Sequence, residues 1–174
     1  MSDSERALFE ALAKAHASAV LRDNPSSVLI KVVADSSGSY TNAMIAALSS
    51  LGGKHAPLRQ TVEILSAENP VDLAEYLYKK DMKVPGWGSS FKPQPDPAWD
   101  AVHYLLQDHY PKLLAKINTV TDYLHKVGKK IYPNPSCYTA ATALALSLPP
   151  ALTPWLLVRA RLDGWANIFA NHCG

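Results

Sequence analysis

The longest apolar stretch of the chain, Ala140 to Val158, is broken by Pro149, Pro150 and Pro154. Proline lacks the backbone N–H that a helix interior needs, and a membrane span needs about 20 uninterrupted apolar residues. The stretch is therefore read as two buried helices around a turn, and no membrane partner is expected. The same punctuation recurs upstream. Leu8, Leu12 and Ala15 fall on one face of a first helix that runs to about Arg22, with Ser4 as its cap. Asp23–Ser27 ends that helix, and Tyr40–Leu51 reads as another. Pro57 suits the first turn of a helix to about Ser66, and Asn69-Pro70 opens one carrying Leu73 and Leu77. Trp99–Gln107 and Tyr110–Val127 follow, then a turn at Gly128, a Tyr132–Pro135 loop and the last two helices. The run Val28–Val33 is β-branched, and by propensity alone it is a strand. Val84–Pro97 is a long loop rich in proline and glycine, of the kind that is usually functional or disordered. The expected fold is all-α, with no internal repeat and no second core.

Composition narrows the function classes. Among 174 residues, 48% are hydrophobic and 18% are charged, which is enough for an ordinary core. A formal charge of +2, with no basic stripe, argues against a nucleic-acid partner. Lys126–Lys130 reads as the solvated end of a helix. Two cysteines, Cys137 and Cys173, make no disulfide framework. The polar, acidic start Met1–Arg6 is unlike a signal peptide, so the expected location is cytoplasmic. No metal site is expected.

Four segments in order resemble the citrate synthase family. Asn24–Gly38 is similar to the family's Asn-Ala-Ser-Thr segment and its helix. Ala47–Pro57 resembles the loop with the first active-site histidine. Val84–Ser89 resembles the Pro-Gly-Phe-Gly-His loop. Tyr132–Tyr138 and Arg161–Trp165 are similar to Tyr-Pro-Asn-Val-Asp-Phe-Tyr and to Arg-Thr-x-Gly-Trp. The resemblance spans roughly Ala7 to Phe169. It implies that Val28–Val33 is helical after all. It also implies a single truncated unit, small-domain-like over about 56–137, with flanking helices of large-domain type at 1–55 and 138–174. The family's dimerisation through large-domain helices implies a homodimer.

The family's chemistry is proton abstraction beside a thioester carbonyl, followed by attack on a keto acid. It needs a carboxylate base, histidines and carboxylate-clamping arginines together. The resemblance places the enolate-stabilising histidine at His55 and a carboxylate-binding arginine at Arg161, with Arg159 close by. The second histidine falls on Ser89, the base aspartate on Ser136, and the arginine of Asp-Pro-Arg on Ala98. Pro85, Gly86, Trp87 and Gly88 occupy the loop that hugs the coenzyme A adenine, and Cys137 stands beside the lost base. Bland roles stand next to these: Arg161 pairing inside the core, Trp87 and Cys137 packing, and His16, His103, His109, His125 and His172 as ordinary helix or tail residues. A serine is no base at neutral pH without help, so ordinary citrate synthesis is not expected. Two functions are expected instead. One is a repurposed enzyme acting on a coenzyme A thioester or related carboxylic acid, with His55, Ser89 and Ser136 catalytic, Arg161, Arg159 and Cys137 binding substrate, and no tightly bound cofactor. The other is a non-catalytic ligand-binding or partner subunit that complements a fuller citrate synthase-like chain.

Overall fold

The structure is a computed structural model that describes residues 1–20, 25–51, 57–88 and 96–173. Nine α-helices make up the described fold: α1 (Asp3–Val20), α2 (Pro25–Ser37), α3 (Tyr40–Ser49), α4 (Leu58–Ser66), α5 (Pro70–Lys79), α6 (Asp100–His109), α7 (Pro111–Lys126), α8 (Pro135–Ala145) and α9 (Thr153–Cys173). Short 3-10 turns, Pro97–Trp99 and Pro150–Leu152, lead into α6 and α9. No strand occurs among the described residues; an isolated bridge joins Trp87 to Pro133.

Local chemistry sets the helix starts. Ser2, not Ser4, caps α1. Its hydroxyl accepts from the Glu5 N–H at 3.2 Å, while the Ser2 N–H donates to the Glu5 carboxylate, a reciprocal capping box. Ser39 caps α3, and Asn69 caps α5 with Pro70 behind it. Ser147 takes a positive φ of 52° after α8, and Pro149 and Pro150 carry the chain into α9. The broken apolar stretch is thus two helices around a turn, and none of the described helices is long and apolar enough to cross a membrane.

The strand propensity of Val28–Val33 loses to packing. In α2, Ile30 and Ala34 fall four residues apart on the buried face, while Val28 and Val32 point outward. Ile30 joins Ala43, Ala47, Trp165 and Ile168 in one core cluster. The larger cluster includes Leu8 and Leu12 of α1, Leu65 of α4, Ile117 of α7 and Ala140 of α8. Helix α9 runs along both α1 and α2, and α8 packs on α4 and α1. A helix from each end of the chain and α8 therefore meet in one place.

Candidate functional site

The loop Val84–Gly88 and the start of α8 are built as one unit. Gly86 and Gly88 have φ of +92° and +78°, which favour glycine. A Cβ on Gly86 would stand 2.5 Å from Thr61 Cγ2, so backbone fills that space by necessity. The Gly88 N–H donates to the Tyr132 carbonyl at 2.9 Å, and the Asn134 N–H donates to the Gly86 carbonyl at 2.9 Å. The Asn134 amide donates to the Gly88 carbonyl at 2.8 Å. Its oxygen accepts from the N–H groups of Ser136 and Cys137, at 2.9 and 3.3 Å, and so caps α8. Trp87 is buried, with its indole N–H donating to Thr121 Oγ1 at 2.9 Å. Pro85 is half-buried in the same turn.

Two site residues of the sequence reading follow from this. Ser136 lies in the first turn of α8 and is 8% exposed. Cys137 is fully buried, and burial pushes its thiol well above the usual range. A thiol held in that way is a packing group, not a nucleophile. His55 and Ser89 lie outside the described residues.

Arg161 stands in α9, 7% exposed. Its Nε–H donates to His16 Nδ1 of α1 over a long 3.4 Å. His16 Nε2 meets Thr139 Oγ1 of α8 at 2.8 Å, and the Thr139 hydroxyl donates to the Pro135 carbonyl at 2.8 Å. That hydroxyl proton is spent, so Thr139 receives a proton from Nε2, and Nδ1 is left bare to accept. Trp99 closes the cluster. It meets the His16 ring edge-on at 5.0 Å and stacks on Tyr138 at 5.5 Å. Burial, then the Arg161 charge, holds the His16 pKa well below its ordinary value. Burial lowers the Arg161 pKa to about 10, so it remains a cation at neutral pH.

No carboxylate answers that cation among the described residues. Among those residues Arg161 makes no ion pair, and its Nη1 has no hydrogen-bond partner. Holding the charge there costs on the order of 3 kcal/mol, taken from the lowered pKa. Arg159 is different. Two residues along the helix, it faces solvent, 4.0 Å from Asp163 and with its guanidinium 6.0 Å from the Phe9 ring centre. The structure thus links Arg161 through His16 to Thr139, which lies one helical turn along α8 from Ser136, and leaves Arg159 on the exposed side of α9. Three or more His, Cys, Asp or Glu side chains placed to hold a metal do not occur among the described residues.

His16 was read from sequence as an ordinary helix residue. Its signal was its register: Leu8, Leu12 and His16 repeat every four residues, which puts the imidazole on the buried face of α1. Thr139 and Asn134 were also missed, since neither type announces a site.

A family model described as citrate synthase, C-terminal domain, matches residues 1–171. No curated protein matches the chain. Among solved structures, a citryl-CoA lyase from Hydrogenobacter thermophilus is similar with a TM-score of 0.81 and 18% identity, over 99% of this chain and 71% of that one. A citrate synthase from Thermotoga maritima MSB8 is similar with a TM-score of 0.78 and 23% identity, over 98% of this chain and 49% of that one. The chain thus spans about half the length of that citrate synthase. At such identities the likeness establishes the fold, the all-α arrangement of the citrate synthase type.

Proposed function

Because this chain belongs to the citrate synthase family, through the C-terminal domain that residues 1–171 match, we propose that it binds a carboxylic acid at Arg161 and acts on that acid or its coenzyme A thioester. The observation that carries the reading is the buried guanidinium, whose Nη1 has no hydrogen-bond partner and which meets no acidic group among the described residues. A protein seldom keeps an unanswered charge inside its core, and an incoming carboxylate is the ligand that answers it. The Pro85–Gly88 turn, tied to α8 beside Ser136, supplies a firm wall on which a thioester could lie.

In this reading His55 hydrogen-bonds the developing oxyanion, and Ser89 and Ser136 replace the family's second histidine and base. Cys137 shapes the floor. Ordinary citrate formation is not proposed, because general acid–base groups contribute about 10²–10⁴-fold each and two are replaced. One structure of similar fold is a citryl-CoA lyase, which puts a lyase reaction within the proposed class. Residues 56–137 would form the small-domain-like part, between flanks at 1–55 and 138–174.

The test is an assay with acetyl-CoA and oxaloacetate and, separately, with citryl-CoA. We expect no citrate formation near an ordinary turnover of about 10 per second. Citrate formation at that rate would overturn the altered-site reading. Any cleavage of citryl-CoA should vanish in Arg161→Met and in His55→Ala.

A second reading rests on exposed apolar side chains, Val28 and Val32 of α2 with Ile45 and Leu48 of α3. Here the chain is a binding subunit that pairs with a second copy or completes a larger citrate synthase-like chain. Co-elution with such a larger chain in a native purification favours this reading over the first.

A further inference from the structure

Arg161 has a hydrogen-bond acceptor at Nε and yet keeps its full charge. That combination needs an acceptor that is strong and neutral. A carboxylate in the same place would form an ion pair and fill the guanidinium's demand from within the protein. A charged imidazolium would set an N–H against the arginine's N–H, and one cation against another. A neutral imidazole with its proton on Nε2 avoids both.

We propose that His16 is the positioning residue that fixes the Arg161 guanidinium without neutralising it, so that the site selects ligands carrying a free carboxylate. The inference rests on the reading of Arg161 as a carboxylate receptor. His16 does not touch the ligand; it acts through Arg161. Its tautomer is set from the other side, because Thr139 spends its own proton on the Pro135 carbonyl and receives the Nε2 proton. Three elements converge on the ring: α9 with Arg161, α8 with Thr139, and the 3-10 turn with Trp99. Arg161 is the one charged group that hydrogen-bonds it among the described residues. The ring's full burial keeps water from supplying an alternative acceptor.

Asparagine and aspartate both place an oxygen where Nδ1 stands, and they differ in charge alone. The experiment therefore compares His16→Asn with His16→Asp, using citrate as the probe in calorimetric titration and trimethyl citrate as the uncharged control. We expect His16→Asp to bind citrate at least about 30-fold more weakly than His16→Asn, because the new carboxylate occupies the guanidinium. His16→Asp should also melt higher than His16→Asn, since it supplies a counterion that no described residue supplies. A role confined to packing would move both variants alike. Independently of any ligand, nitrogen-15 spectra of the wild-type imidazole at pH 7 should show a neutral ring with the proton on Nε2. A charged ring, a proton on Nδ1, or equal citrate affinity in the two variants overturns the proposal. If the wild type binds no citrate at all, the receptor reading fails instead. The ring's protonation and the melting order of the two variants then still decide the role of His16.

Discussion

At the residue scale, the site turns on ionisable groups that have been moved out of water. His16 is the clearest case. Its folded pKa lies well below the ordinary 6.5, so at mildly acidic pH the unfolded chain takes up a proton that the folded chain refuses. Stability from this group is complete above about pH 6.5 and is lost as pH falls below it, by up to about 1.4 kcal/mol per pH unit. Urea midpoints at pH 7.5 and 5.5 should drop more in the wild type than in His16→Asn. An equal drop would place the acid sensitivity on other groups. Gly86→Ala should be destabilising by about 2 kcal/mol or more, because the new methyl meets Thr61 and the φ of +92° strains any side chain. Arg161 was legible in the sequence as the arginine ahead of Gly164-Trp165. His16 was not, because its partner lies 145 residues away, and a lone histidine on an apolar stripe carries no mark of what the fold will set beside it.

At the element scale, periodicity and caps gave most of the helices, since those signals are local. The exception was α2, where six residues of strand propensity were outvoted by burial of Ala34 and of Ile30, the latter in the cluster that holds Trp165. The resemblance to a known helix corrected that reading; the residues alone did not. Trp165 is fully buried and its indole donates to Ser26 Oγ at 3.2 Å. Trp165→Ala should therefore cost about 3–5 kcal/mol, measured by denaturant unfolding. Asn134→Ala should cost about 2 kcal/mol, because it removes both the α8 cap and the bond to the Gly88 carbonyl. A loss under about 0.5 kcal/mol would mean that loop and helix are not held as one unit. The weld between them could not be read from sequence, since it consists mainly of backbone contacts to two glycines.

At the scale of the whole molecule, Arg161 is buried while valines of α2 and an isoleucine and a leucine of α3 are exposed. We expect sedimentation velocity at micromolar concentration to show a dimer, and Val32→Lys with Ile45→Lys to shift it to monomer. A clean monomer in the unmodified chain would refute that. The central matter is whether the buried cation is there for a ligand. Calorimetric titration of citrate into the wild type and Arg161→Met, with melting temperature recorded on the same samples, tests it directly. If Arg161 is a receptor, Met weakens binding by at least about 30-fold while the fold melts at the same temperature or higher, because an unanswered buried charge has been removed. If Arg161 is instead a structural member of the core, Met lowers the melting temperature and leaves citrate affinity unchanged.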